Sequence, residues 1–120
     1  FGGNPLACAT ALTVLNVIER DKLCEQVTRN SVILRDKLMN ELGDNPHVKS
    51  IRGKGYMLGI ELDKPANDIK KLALSNGLLL NVTAESVVRL LPPLIISLEE
   101  IDELVNRLVM TINQLNQVMT

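Results

Sequence analysis

The sequence predicts an α+β domain, in which helices cover a small and mainly antiparallel sheet. Helical signals mark three long segments, and short aliphatic runs bounded by Gly, Pro or Asn lie between them. Residues 83–86 join two such runs, and a connection this short favours a hairpin, because parallel strands need a crossover of a dozen residues or more. The predicted element order is α-α-β-β-α-β-β-α.

Composition limits the functions to consider. A chain of 120 residues with 46% hydrophobic and 22% charged content fits one domain, which would bury roughly two-thirds of its unfolded surface. The net charge is −1 and the basic residues form no run, which argues against a nucleic acid or an anionic membrane as partner. No apolar run reaches a membrane span and no signal peptide is visible in these residues, so we expect a cytoplasmic protein. Because the first residue is not Met, we also expect a piece of a longer chain.

The first two helices differ in pattern. Asn4-Pro5 is a typical helix start, and the helix should reach about Ile18 or Arg20. It is apolar nearly all round, so it needs cover from missing chain or from a second subunit. Residues 22–42 predict a second helix with one apolar stripe, closed by Gly43. Each helix carries one cysteine, Cys8 and Cys24, and we interpret both as buried, reduced thiols.

Residues 48–62 predict two short strands or one bent strand, interrupted by Arg52-Gly53-Lys54-Gly55. Two glycines and two cations could cradle a phosphate, but a glycine bulge or bend is favoured because no matching helix start follows. We interpret His47 as a surface residue and the neighbouring carboxylates Glu61 and Asp63 as solvated charges.

The second half should contain a short helix, a hairpin and a long helix. Asp63 or Asn67 could cap the short helix, which ends near Ser75. Strands are predicted at 78–82 and 87–91. Ser97 to Glu100 form a capping box, and the last helix then presents one apolar face that ends at Met119.

Arg89 is the residue that we single out for function. It lies in a strand that Pro92-Pro93 terminates, and it shares a strand face with Val87 and Leu91. Its aliphatic stem could pack on the sheet while the guanidinium reaches water or a local carboxylate. Alternatively, the planar fork could hold the carboxylate of a ligand through two parallel hydrogen bonds. The residues of the strand leave both interpretations open.

No catalytic or metal-binding set can be assembled from the sequence. One histidine and scattered serines form no nucleophile–base pattern, and no Cys or His spacing suits a metal. The seven lysines lie among polar residues, which do not depress an amine pKa. The chain therefore resembles a ligand-contacting domain without its own reactive group.

Four ordered blocks nevertheless carry a family resemblance. They are F-G-G-N-P-L-A at residues 1–7, I-R-G-K-G-Y-M-L-G-I-E-L at 51–62, G-L-L at 77–79 and V-R-L-L-P-P-L at 88–94. In order and spacing they resemble the C-terminal segment of class III pyridoxal-phosphate aminotransferases, over essentially all 120 residues.

The resemblance implies a fold-type-I aminotransferase, with residues 1–20 as an interface or lead-in helix and residues 21–120 as the C-terminal small domain. Arg89 matches the family's arginine for the substrate carboxylate. Pyridoxal 5'-phosphate is the implied cofactor, but its lysine and its other ligands match no residue of this chain, so the fragment should be inactive by itself. The implied partners are small amino-acid and 2-oxo-acid substrates and a second subunit in a homodimer.

The activity implied is amino-group exchange between an N-acetylornithine-type donor and 2-oxoglutarate, in arginine biosynthesis. Related enzymes that act on ornithine, 4-aminobutyrate or succinyl-diaminopimelate are an alternative. A stand-alone regulatory module that binds an amino acid without catalysis is a hypothesis from another class, which the apolar first helix argues against.

Overall fold

A computed structural model describes residues 2–118, and Phe1 and Met119, named above, lie outside them. The described residues form eight elements in the predicted order: α1 (Pro5–Arg20), α2 (Leu23–Leu42), β1 (Val48–Lys54), β2 (Met57–Leu62), α3 (Ile69–Ser75), β3 (Asn81–Thr83), β4 (Val87–Leu90) and α4 (Leu98–Val118). The α+β fold class is confirmed. No helix within residues 2–118 is long and apolar enough to cross a membrane.

The four strands form one antiparallel sheet in the order β1-β2-β4-β3. Chain neighbours pair as two hairpins, β1 with β2 and β3 with β4, and β2 joins β4 at the centre. Gly59 lies opposite Arg52 on one side and opposite Arg89 on the other, and Arg89 lies opposite Asn81. Opposed residues point to the same face of a sheet, so these four positions form one row across it.

The core lies on one face of the sheet. Alternate residues of the two central strands are buried there, and helices α2 and α4 supply the apolar cover. The buried strand residues are Leu58, Ile60, Leu62, Val88 and Leu90. The residues between them are exposed or half-buried, so charged side chains on the other face, which we call the open face, can meet a ligand.

The helix starts follow the predicted chemistry at two places. The Asn4 side chain accepts hydrogen bonds from the backbone N–H groups of Leu6 (2.8 Å) and Ala7 (3.3 Å). At α4, Glu100 N–H donates to Ser97 Oγ (3.1 Å) and Ser97 N–H donates to Glu100 Oε2 (2.8 Å), which is a complete capping box.

Helix α1 has no buried residue along its 16 positions. Leu6 is 76% exposed and Leu12 is 59% exposed, as expected for an apolar helix whose cover lies elsewhere. The thiol of Cys8 lies on this helix and that of Cys24 lies near the start of α2, and both are exposed. The predicted burial is not found within residues 2–118, because Cys8 lies on a helix with no buried residue and Cys24 lies at an exposed position of α2.

Two further predictions are wrong at the edges of elements. The strand predicted at 78–82 is only Asn81–Thr83, because Leu78 N–H donates to Ala73 O (2.8 Å) at the end of α3 and not to the sheet. Neither Asp63 nor Asn67 caps α3, which begins after Asp68 without a side-chain cap.

The glycine-rich segment turns later than expected. Arg52, Gly53 and Lys54 remain in β1, and Lys54 pairs with Met57, so the turn itself is Gly55-Tyr56. The irregular register lies at the other end of β1, between Val48 and Ser50. The prediction of two short strands is confirmed, with the break at Gly55-Tyr56, and Arg52 and Lys54 are strand residues with a defined face.

Candidate functional site: a groove between two arginines

A groove of about 390 Å³ lies on the open face of the sheet. We call it the arginine groove, and it is lined by Arg52, Gly53, Lys54, Met57, Leu58, Gly59, Thr83, Val87 and Arg89. Three of these side chains are cationic and none is acidic. The groove therefore favours an anionic ligand.

Arg89 is exposed at the centre of this face, while its chain neighbours Val88 and Leu90 are buried on the other face. The predicted alternation along β4 is confirmed. Among residues 2–118 the Arg89 guanidinium has no ion-pair or hydrogen-bond partner, so the fold supplies no internal carboxylate for it. Its donors are available to a ligand.

Gly59 puts no side chain on the face of the sheet between Arg52 and Arg89. A Cβ built on Gly59 would meet only Val87 Cγ1 at 3.2 Å and Arg52 O at 3.9 Å within a 4 Å radius. Neither the Arg52 side chain nor the Arg89 side chain fills this space, although both residues lie directly opposite Gly59. Glycine thus keeps bare backbone as the floor between the two arginines.

Arg52 is held in place by two neighbours on the open face. Its Nη1 donates to Glu61 Oε2 (2.6 Å) and to Ser50 Oγ (2.6 Å). The hydrogen bond from Arg52, followed by its positive charge, lowers the pKa of Glu61 below its usual value. Glu61, interpreted from the sequence as a solvated charge, is instead the carboxylate that orients this guanidinium.

The other sequence-predicted titratable residues lie away from the groove. His47 Nδ1 lies 3.1 Å from Asp63 Oδ2, where the start of β1 meets the residue after β2. The hydrogen bond with His47 is the main cause that lowers the pKa of Asp63. His47 is half-buried in this contact, which gives it a hydrogen-bonding partner that the sequence did not predict.

Arg52 and Lys54 line the groove together with Arg89, and this proximity was not predicted from the sequence. A signal was present, because residues two apart on a strand share a face. Which strand β4 would pair with, and in which register, could not be read from the sequence, and that pairing brings the cations together.

Comparison with known proteins places this fold in a family. The family model described as Aminotransferase class-III matches residues 1–112. Acetylornithine aminotransferase 1 of Bordetella pertussis is 49% identical over 114 residues, which are 95% of this chain and 29% of that protein. The ornithine aminotransferase of Bacillus cereus is 44% identical over 104 residues, or 85% of this chain and 25% of that protein.

Solved structures agree with the sequence comparison. The ornithine aminotransferase of Toxoplasma gondii superposes with a TM-score of 0.89 at 36% identity, over 98% of this chain and 29% of that one. The acetylornithine aminotransferase of Elizabethkingia anophelis gives a TM-score of 0.87 at 32% identity, over 95% of this chain and 31% of that one. The chain spans less than a third of the length of these relatives, and it belongs to the class III aminotransferases.

Proposed function

We propose that the protein of which this chain is a part transfers an amino group from N-acetylornithine to 2-oxoglutarate, and that Arg89 binds the carboxylate of each substrate. The observation that carries the proposal is the exposed Arg89 guanidinium, which has no partner among residues 2–118 and lines a cationic groove. An arginine can hold a carboxylate through two parallel hydrogen bonds, which fixes the direction of the substrate as well as its affinity.

The cofactor of this proposal is pyridoxal 5'-phosphate. When bound, it would act as the electron sink of the reaction. The groove suits a substrate carboxylate better than it suits the attachment of this aldehyde, since Lys54, the lysine among its lining residues, is exposed at its rim. We therefore assign the cofactor's lysine and its phosphate ligands to the rest of the protein, and assign to this chain the orientation of the substrate.

The choice of amino donor follows the relatives. Proteins named acetylornithine aminotransferase and ornithine aminotransferase both match the chain, with 49% identity to the first in Bordetella pertussis and 44% to the second in Bacillus cereus. We propose N-acetylornithine as the donor, within arginine biosynthesis, on the higher identity and longer coverage. The kcat/KM of the whole enzyme should be higher for N-acetylornithine than for ornithine, and the reverse order would reassign the donor.

The proposal divides the chain into residues 1–20, a lead-in helix at a subunit interface, and residues 21–120, the small C-terminal domain. Helix α1 supports this division, because none of its residues is buried within the described part of the chain. A second subunit in a homodimer would cover its apolar side chains. The proposal assigns the enzyme to the cytoplasm, where exposed thiols such as Cys8 and Cys24 stay reduced.

Replacing Arg89 tests the proposed role. In the full-length enzyme, Arg89→Ala should lower kcat/KM for both substrates by about 100-fold or more, because a charge-assisted, two-pronged contact is lost. Arg89→Lys should fall between this variant and the wild type, since the charge remains but the fork does not. Steady-state kinetics with each substrate varied in turn gives the values.

Arg29→Ala is the matched control, since Arg29 is an exposed arginine on α2 that does not line the arginine groove. Its kcat/KM should equal that of the wild type. Equal kinetics for Arg89→Ala and Arg29→Ala would remove Arg89 from the proposed role.

A further inference from the structure

Arg52 lines the arginine groove and has unused hydrogen-bond donors. Its Nη1 is occupied by Glu61 and Ser50, at 2.6 Å each, whereas Nε and Nη2 have no partner among residues 2–118. A guanidinium has five N–H donors in a fixed plane, so anchoring Nη1 orients the three that remain. This is the arrangement of a binding group held in position in advance.

The row across the sheet brings Arg52 and Arg89 to a useful separation. Both residues lie opposite Gly59, one on each side, so their backbones are two strand spacings apart, or roughly 10 Å. A carboxylate that accepts hydrogen bonds on both sides spans roughly 8 Å from nitrogen to nitrogen, because each bond is about 2.9 Å long. Both side chains leave the same face of the sheet, and each is longer than half of the backbone separation, so the two guanidinium groups can reach one carboxylate from its two sides.

Gly59 provides the place where such a carboxylate can lie. A Cβ at position 59 would lie 3.2 Å from Val87 Cγ1, which is a tight contact, and 3.9 Å from Arg52 O, and neither guanidinium occupies this position. Any larger residue at 59 would project between the two guanidinium groups, since its side chain would share their face of the sheet.

We propose that Arg52 is a second binding residue for the same substrate carboxylate that Arg89 holds, and that Gly59 keeps the seat between them open. Glu61 and Ser50 are positioning residues that act through Arg52. This inference rests on the proposed function of Arg89, and it adds a second guanidinium and a size limit at position 59 to that site.

The test uses two probes that cannot react, glutarate and pentanoate, which share a five-carbon chain but carry two carboxylates and one carboxylate respectively. Their dissociation constants are measured by calorimetry on the full-length enzyme. Arg52→Gln should weaken both probes by about tenfold, a loss that corresponds to a charge-assisted hydrogen bond. Arg52→Lys should recover part of the affinity, and Gly59→Ala should weaken both probes with Arg52 unchanged.

The outcomes separate this inference from the proposed function. Weakening of glutarate alone by Arg52→Gln would overturn the inference, because Arg52 would then contact the second carboxylate. Unchanged affinity for both probes in Arg52→Gln and Gly59→Ala, with a loss in Arg89→Gln, would overturn the inference and leave Arg89 in its role. Unchanged affinity in Arg89→Gln would instead contradict the proposed function. Arg29→Gln is the control and should bind both probes as the wild type does.

Discussion

At the scale of single residues, partners across strands decide which charges are available. Arg52 and Arg89 are both exposed arginines on the open face, yet Arg52 is tied to Glu61 and Arg89 has no partner in the described part of the chain. The sequence predicted the strand and the face of Arg89 correctly from the alternation of apolar residues. It could not predict that Glu61 pairs with Arg52 or that Asp63 pairs with His47, because both contacts depend on the register between β1 and β2.

The contact between His47 and Asp63 should make stability depend on pH. The pKa of Asp63 is lowered in the folded chain, chiefly by the hydrogen bond with His47. The contribution is therefore complete above the ordinary aspartate pKa of about 3.9, and it is lost as the pH falls through the lower folded value. Asp63→Asn should be less stable than the wild type at pH 6, and the difference in free energy of unfolding should shrink below about pH 4.

Urea denaturation of wild type and Asp63→Asn across this pH range measures the effect. Asp68→Asn is the control, because Asp68 is exposed and its side chain makes no cap hydrogen bond to α3. A difference for Asp63→Asn that stays constant down to pH 2 would show that ionisation of Asp63 does not contribute.

At the scale of elements, helix ends and strand patterns could be predicted where the signal was local. The Asn4 cap, the Ser97 capping box and the buried face of α4 follow from residues within one or two turns of each other. The prediction of a strand at 78–82 was wrong, because an apolar Leu-Leu-Leu run can lie either in a strand or in an extended segment that pairs with no strand. The hydrogen bond from Leu78 to Ala73 O shows that the end of α3 competes for this backbone.

The β1–β2 hairpin depends on glycine at position 53. Its φ is 147°, and a Cβ there would lie 2.0 Å from the backbone O of Met57. Gly53→Ala should therefore lower the free energy of unfolding by about 1–3 kcal/mol, the usual range for a residue forced into a strained backbone conformation. Gly55→Asn is the comparison variant with a smaller effect, since asparagine tolerates the left-handed φ of 55° at that turn and its Cβ would meet a side-chain atom, Val27 Cγ1 at 3.3 Å, and no backbone atom.

Both hairpin variants can be compared by urea denaturation, with the midpoint and the slope fitted separately. Equal stabilities for Gly53→Ala and Gly55→Asn would mean that the hairpin relaxes around a side chain at 53.

The capping box of α4 gives a second prediction at this scale. Ser97→Ala removes the acceptor for Glu100 N–H, and a lost N-cap of this type costs about 1 kcal/mol. Since each side chain accepts from the backbone N–H of the other residue and both bonds hold the same turn, the double variant Ser97→Ala, Glu100→Ala should cost less than the sum of the single variants. Strict additivity in thermal unfolding would contradict a coupled cap.

At the scale of the whole molecule, helix α1 is the part that this chain leaves uncovered. Its exposed apolar residues are spread around the helix, as the sequence predicted from the near absence of polar positions. The sequence did not identify a covering surface, and residues 2–118 bury no residue of this helix.

The homodimer proposed above makes α1 a place where one charge should break assembly. Leu12→Arg in the full-length enzyme should shift the protein from dimer toward monomer in light scattering, because a buried unpaired charge costs several kcal/mol. Leu74→Arg is the control, at a side chain that is 64% exposed on α3. A dimer that persists in Leu12→Arg would separate α1 from the subunit interface.

The sheet consists of two hairpins, β1–β2 and β3–β4, which are joined only by the pairing of β2 with β4. Arg52 and Gly59 belong to the first hairpin, and Arg89 belongs to the second. A ligand that contacts both hairpins therefore stabilises the pairing of β2 with β4. By mass action it favours the complete sheet over any form in which the two hairpins have separated. Ligand binding and the pairing of β2 with β4 are then coupled equilibria. Saturating ligand should therefore slow amide hydrogen exchange most in the hydrogen bonds between these two strands.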